Sequence, residues 1–431
     1  MGRKGEIVSA VDFGSQDVRV LIARKRNDGA IQVLGHGASP SRGCIAQGVI
    51  QDLSAAQMAL KRAIASAEKE AGVRPGSVFC GVNGKSVDTY IREGVVKLDK
   101  GIAELGHMEE ALDLASRDVL SPGKRVVSSI TSQEWYVDDL RVSDPVGIRG
   151  SILKTRVHFA LLPNVIEDNL VSCVESQGKD LEDVVYTPLA AALGCLTPED
   201  LDLGVAVLDM GRTTTGMAIY RDRRIVATQS FEWGGFHLTR DVAAGLQVSF
   251  EEANELVLEY GISEEMIHEH FGDDEEETAA RPAEESSRSA HIKLNSAVRG
   301  APSIVERGDL DMIVYGRTEE LMTKMRQHLH ARGLMKNLVR GIVLTGGAAA
   351  VRNQALLASE LFQTNARVGL PDGIEVLPQP VNAPAWVPAV GIVRHGLEYR
   401  AAAKSGRIET RRGLLGTACK GIGKFFGKYF F

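Results

Sequence analysis

Two short turns carry the residue types from which a phosphate site is built. The apolar run Ile7-Val8-Ser9-Ala10-Val11 leads into Asp12-Phe13-Gly14-Ser15-Gln16, and Val205-Ala206-Val207-Leu208 leads into Asp209-Met210-Gly211-Arg212-Thr213-Thr214. An Asp-x-Gly turn after a buried strand leaves backbone N–H groups converging on a phosphate, and its glycine permits close approach. Asp12 and Asp209 are each placed to hold Mg2+ through water. One such turn carries little weight, because Asp and Gly are common turn residues. Two of them on similar stretches carry much more. A third element, Gly341 through Ala349, joins a hydrophobic strand to Gly346-Gly347 and then to a helix. A flat adenine ring can lie against the backbone of Gly346, Gly347 and Ala348.

A different chemistry sits at the C-terminus. Wound as a helix, Gly413–Phe431 puts Leu415, Ile422 and Phe426 on one stripe, with Phe425, Tyr429 and Phe430 completing an aromatic apolar set. Lys420, Lys424 and Lys428 step by four along the opposite face. A basic face against an aromatic one, with no acidic residue after Glu409, describes a helix lying in a membrane interface. Lys and Gly interrupt the run, so it cannot span a bilayer, which needs roughly 20 mostly apolar residues. The segment is expected to be disordered when free and to fold on lipid. Each tail alone binds weakly, and many tails on one polymer bind firmly, because every later attachment is intramolecular. The competing reading is a helix packed on the protein's own core. A spacer running from Ala401 through Arg407 and the cations Arg411 and Arg412 speak against it.

The elements that must position the turns follow one plan twice. After the first turn come Val18–Ala23, a reversal at Asn27-Asp28-Gly29, and Ile31–Leu34. After the second come Met217–Tyr220, a reversal at Arg221–Arg224, and Ile225–Thr228. Each reads as a strand, a tight turn and a meander of two more strands. A duplication about two hundred positions apart implies two similar lobes. Asp52 or Ser54 caps a helix running to Glu70, with Leu53, Met58, Leu60 and Ile64 as its apolar residues. Glu251–Tyr260 and Asp311–Leu329 are also helix-periodic. Residues 85–164, with a helix near Met108–Val119, read as an inserted subdomain. Gly272 through Ser289 is acidic and poor in apolar residues, which predicts a disordered loop.

Composition sets outer bounds. The chain has 431 residues and a formal net charge of −6, so general nucleic-acid binding is not expected. Five scattered cysteines lack metal-ligand spacing and read as reduced thiols. The N-terminus shows no apolar signal region, and Glu6 stands where a myristoylation signal wants Ser or Thr. His36, His107 and His237 read as structural or surface groups.

Taken together, these motifs resemble the nucleotide site of the superfamily of actin, heat-shock chaperones and sugar kinases. Asp12–Gln16 matches its first phosphate loop, Asp209–Thr214 its second, and Thr345–Ala348 its adenosine motif. The segment with Pro188, Ala191 and Ala192 matches the first connecting helix, and Ala389-Val390-Gly391-Ile392 the second. Within the superfamily the chain is similar to the FtsA family of bacterial cell division proteins over nearly its whole length. Pro40-Ser41-Arg42-Gly43, Pro145-Val146-Gly147-Ile148, Leu203–Asp209, and Gly235 with Thr239 and Asp241 carry that similarity, together with Gly341–Ala349 and the tail.

The resemblance implies an α/β, actin-like, two-lobe duplicated ribonuclease-H-like fold with an FtsA-type inserted subdomain and a C-terminal amphipathic helix. The first lobe (1A) is expected at 5–84, 165–203 and 382–400, and the insert (1C) at 85–164. The second lobe (2A) is expected at 204–238 and 309–381, with an outer subdomain (2B) at 239–308 that carries the acidic loop 272–290. A linker at 401–412 and the membrane-targeting helix at 413–431 follow.

The family role implied is a scaffold that tethers FtsZ polymers to the inner face of the cytoplasmic membrane at the septum. Such a scaffold self-assembles into actin-like filaments and recruits later division proteins through the insert. ATP and Mg2+ are the implied ligands, with at most slow ATP hydrolysis and no metabolic reaction. Arg317 matches a family arginine associated with docking of the FtsZ C-terminal peptide; a local ion pair is the other reading of it. Arg212, Thr213 and Gly216 depart from the family's small and acidic residues, and Asn254 and Val257 from its usual Glu and Lys near the ribose. Arg212 either points away from the phosphates or supplies charge to them. A pilus-assembly or secretion ATPase scaffold of the same fold is the alternative, and a sugar or acid kinase a more distant one.

Overall fold

The computed structural model describes residues 5–41, 43–117, 119, 121–127, 133–271, 290–294, 303–375 and 377–404. Arg42, the acidic stretch 272–289 and the whole segment 405–431 lie outside the described residues, and with them the expected membrane helix.

Two five-stranded sheets are built on one plan. In the first the order is Asp180–Tyr186, Ser77–Val82, Glu6–Phe13, Asp17–Lys25, Ile31–Pro40. In the second it is Arg224–Phe231, Thr215–Arg221, Val205–Met210, Ile342–Thr345, Ala366–Val368. The aspartate-bearing strand is central in both. It runs antiparallel to the strand that follows it and parallel to one that arrives later in the chain. Strands covered on both faces read as continuous hydrophobic runs, which is why Val205, Ala206, Val207 and Leu208 are all buried.

Helices complete the lobes. Leu53–Ala71 is capped by the Asp52 carboxylate, which accepts from the Ala55 N–H at 3.0 Å. Its buried face is Ala56, Ala59, Leu60, Ala63, Ile64 and Ala67, while Met58 faces solvent at 53% exposure, contrary to the apolar set read from the sequence. The strand beneath explains the difference. Gly35 and Gly37 present bare backbone to the carbonyls of Ala67 and Ala63, so the alanine stripe turns inward and Met58 turns out.

Thr187–Cys195 and Val387–Lys404 cross at the base of the cleft between the sheets. A Cβ on Gly391 would stand 1.6 Å from the Ala190 carbonyl oxygen, and one on Gly194 2.2 Å from that of Val387. The crossing is therefore a backbone-to-backbone contact. The helix Thr187–Cys195 also feeds one continuous core, with Leu189, Ala191 and Ala192 packed among Val11 and Val20 of the first sheet and Val205 and Val207 of the second. Val387–Lys404 extends through the first residues of the expected spacer, and Lys404 pairs with Glu6 at 2.8 Å.

The segment between the lobes forms its own sheet, ordered Leu140–Val142, Gln133–Val137, Ile152–Pro163, Asp88–Lys97, with Lys124–Val127 paired on Ile152–Pro163. The helix Leu105–Ser116, placed slightly earlier than the periodicity predicts, packs Met108, Ala111, Leu112 and Ala115 against Val96, Leu153 and Val157. The insert also touches the second sheet. Buried Glu134 lies 3.8 Å from Arg156 of its own sheet and 3.5 Å from Arg224 across the boundary. The helix Arg307–Ala331, which begins before the expected Asp311, packs together with Gly235–Leu246 and Phe250–Tyr260 in a second core. Cys44, Cys80, Cys173 and Cys195 are buried. No helix among the described residues is long and apolar enough to cross a membrane.

Candidate functional site

The duplicated strands bring their turns face to face. Asp12 and Asp209 both line one cavity of about 380 Å³ between the two sheets, with Gly14, Ser15, Gln16, Gly211, Arg212, Thr214, Gly235, Gly346, Gly347 and Ala348 around it. The turns are clasped to each other across the chain: Ser15 Oγ meets Thr213 Oγ1 at 2.7 Å, and the Gln47 N–H donates to the same Thr213 hydroxyl at 3.0 Å. Thr213 thus serves the clasp and is not on the cavity wall. Arg212 donates to Gln16 Oε1 and lies 5.5 Å from the Phe236 ring centre, so its guanidinium bridges the cleft from the second turn to the first.

Glycine is required where backbone meets backbone. Gly346 has φ +83, and a Cβ there would meet the Met210 carbonyl oxygen at 2.5 Å and the Asp209 carboxylate at 2.6 Å. Its N–H donates to the Pro384 carbonyl at 3.0 Å, which holds the loop down. Gly347, next along, has open space before it. The helix Gly235–Leu246 starts at the cleft, tied down by the Gly235 N–H to the Gly211 carbonyl at 3.0 Å and the Phe236 N–H to that of Arg212 at 2.7 Å.

The two carboxylates have no ion-pair partner among the described residues. Burial pushes the Asp12 carboxyl up to about 6, Arg19 opposing. Burial first, and then the negative field of Asp12, pushes Asp209 up to about 8. A carboxyl whose folded pKa is raised binds its proton more tightly when folded. The ligand-free protein therefore loses stability as pH climbs from the unfolded value near 3.8 through about 8. Asp209→Asn is expected to raise the melting temperature of the ligand-free protein at pH 8 by about 5 °C or more, and to change it little at pH 4. Thermal denaturation at the two pH values checks this; an equal shift at both would mean that packing, not charge, is responsible.

No cluster of three or more His, Cys, Asp or Glu suited to a metal occurs among the described residues. Asp12 and Asp209 offer two carboxylates, the number with which Mg2+ is commonly held beside phosphates and water. Asn254 and Val257 line the same cavity from Phe250–Tyr260. Asn83, Arg19, Thr187 and Phe236 also line it, and the sequence reading did not single them out. Asn83 follows the apolar strand Ser77–Val82, and the carboxyl end of a strand in an open α/β sheet is where ligands sit. Arg317 is not at the cleft. It donates to Asp241 and to Glu320 on the face of Arg307–Ala331. His107 and His237 each accept a backbone N–H at the start of their own helix, at 3.0 and 3.3 Å.

Comparison with known proteins agrees with this arrangement. A family model described as cell division protein FtsA matches residues 206–391. FtsA of Pseudomonas aeruginosa is 28% identical over 397 residues, covering 92% of this chain and 90% of its own. FtsA of Neisseria meningitidis is 26% identical over 418 residues, covering 96% of each. FtsA of Escherichia coli K12 is 26% identical over 401 residues, covering 91% of each. Among solved structures, the PilM-PilN type IV pilus biogenesis complex superposes with a TM-score of 0.62 at 14% identity, over 90% of this chain and 98% of that one. MreB 5 of Spiroplasma citri bound to AMPPNP gives 0.53 at 13% identity, over 93% and 100%. At such identities these structures speak for the fold alone. With two duplicated sheets around one cleft, the chain has an actin-like fold, and over nine-tenths of its length it is similar to the FtsA cell division proteins.

Proposed function

We propose that the chain is a bacterial cell division scaffold that binds ATP with Mg2+ between its lobes and ties FtsZ polymers to the inner face of the cytoplasmic membrane. The observation that carries this is the cleft: two aspartates on duplicated strands, with no direct ion-pair partner among the described residues, facing Gly346, where a side chain would meet backbone. The residues present fit the ligand. Backbone at Gly14–Gln16 and Gly211–Thr214 receives phosphates, with Arg212 adding positive charge at the bridge between the turns. Asp12 and Asp209 would hold the cation, whose charge would offset the desolvation of the two carboxylates and their mutual repulsion. Adenine lies against Gly346–Ala348, where the space before Gly347 is open. The ribose side offers Asn254 and Val257 rather than charged groups, which keeps affinity modest and suits a switch more than a turnover enzyme.

Filament assembly follows if ATP favours the polymerising shape. The outer subdomain at 239–308 and the neighbouring Arg317 form the docking place for the FtsZ C-terminal peptide, and the insert at 85–164 receives later division proteins. The division-protein relatives favour this reading over a pilus scaffold, for which only a shared fold speaks. Titrating a fluorescent FtsZ C-terminal peptide against the full chain tests the docking. Arg317→Ala is expected to weaken binding about tenfold, the scale of losing one charge-assisted hydrogen bond. Unchanged affinity would mean that Arg317 serves only its pairs with Asp241 and Glu320.

A further inference from the structure

The cleft wall beside Asp209 is completed from the opposite sheet. Asp209 stands directly across from Gly216 in the strand pairing. Cross-strand partners put their side chains on one face, so a side chain at 216 would project next to the Asp209 carboxylate. That place is already taken. A Cβ on Gly216 would lie 2.6 Å from Pro188 Cγ, 3.0 Å from Asn83 Nδ2 and 3.3 Å from Asn83 Oδ1. Asn83 comes from the first sheet, at the end of Ser77–Val82, and it lines the cavity.

The orientation of its amide is determined. Oδ1 accepts from the Gly84 N–H at 2.8 Å and from Ser230 Oγ at 2.7 Å. Ser230 Oγ in turn meets the buried Tyr186 hydroxyl at 2.7 Å. A backbone N–H only donates, so the atom facing it is the oxygen and not the nitrogen. Nδ2 is left as the free donor, and among the described residues nothing accepts from it.

We infer that Asn83 is the residue that meets the terminal phosphate of a nucleoside triphosphate, offering a neutral amide donor beside Asp209 where a side chain at 216 would otherwise stand. This rests on the nucleotide-binding reading of the cleft and deepens it into discrimination between triphosphate and diphosphate. Ser230 and Tyr186 are positioning residues that hold the amide. An amide donor attracts phosphate oxygens but takes no proton from an attacking water, so it retains the triphosphate without promoting its hydrolysis. Because Ser230 belongs to the second sheet and Asn83 to the first, the contact exists only while the lobes keep this relation.

Titration of the full-length protein with ATP and with ADP, each with Mg2+, tests the inference. Asn83→Ala is expected to weaken ATP about tenfold, the scale of one hydrogen bond to a charged group, and ADP less than about twofold. Asn83→Asp, nearly the same shape but anionic, is expected to weaken ATP further and again to spare ADP. Ser230→Ala is expected to give a smaller ATP-selective loss, and melting temperatures of all three variants separate binding from folding. Equal losses for ATP and ADP, or full ATP affinity in Asn83→Asp, would overturn the assignment. A wild-type protein that binds neither nucleotide would instead overturn the nucleotide reading itself, and this inference with it.

Discussion

Gly391→Val is expected to cost at least about 3 kcal/mol of stability, the upper range for forcing extra volume into a packed interior, and to lower the melting temperature by about 3 °C or more. The reason is local and severe. At position 391 a Cβ would sit 1.6 Å from the Ala190 carbonyl oxygen and 2.4 Å from its carbon. Both obstacles are backbone inside the helix Thr187–Cys195, so no rotamer change relieves the contact. The helix Val387–Lys404 would have to lift, and Val390, Ile392 and Val393 would lose their packing on Val8, Ala10 and Phe79. Gly347→Ala is the control: it has nothing within 4 Å of its added methyl and should melt close to the wild type. Thermal denaturation of the pair reads the contrast. A Gly391→Val protein that melts within a degree or two of wild type would show that the two helices do not cross in this way.

Removing residues 413–431 is expected to abolish pelleting with anionic vesicles while leaving a folded, soluble protein. Each large apolar side chain sunk in the lipid boundary contributes about 1.5–3 kcal/mol before ordering costs. Each Lys near an anionic leaflet adds about 1 kcal/mol. The gross sum is roughly 10 kcal/mol, and ordering a glycine-bearing segment removes several of those. The remainder supports reversible attachment of one chain and firm attachment of an array. Phe426→Glu should weaken pelleting more than Lys424→Ala, because it takes away apolar burial and adds repulsion from anionic lipid at once. Equal pelleting of the truncated and full-length proteins would remove the anchor. The reverse order of the two point variants would make the contact chiefly electrostatic.

The two predictions differ in what makes them readable. Wound as a helix, the tail would take its two faces from residue spacing alone. The Asp-x-Gly turns are legible for the same reason: a run of β-branched and apolar residues, an acid and a glycine lie within a few positions of each other. The duplicated meanders add a second local signal, and from it the two-lobe plan with its carboxylates face to face could be expected. Gly346 was readable as a glycine, though not the reason it must be one, which is the Met210 carbonyl packed against it.

What the sequence determined by itself, then, is every feature whose cause lies within one strand, one turn or one helix. Only the tertiary structure decided the rest. Thr213 serves the clasp to Ser15, a partner 198 positions away, and not the cavity wall. Met58 points outward because the strand under its helix carries Gly35 and Gly37. Arg212 reaches Gln16 across the cleft, and Asn83 fills the space beside Asp209 that Gly216 leaves open. Each of these depends on two surfaces brought together from distant parts of the chain. Propensity and periodicity act over a few residues, whereas close packing is settled between elements that meet only after the sheets have formed.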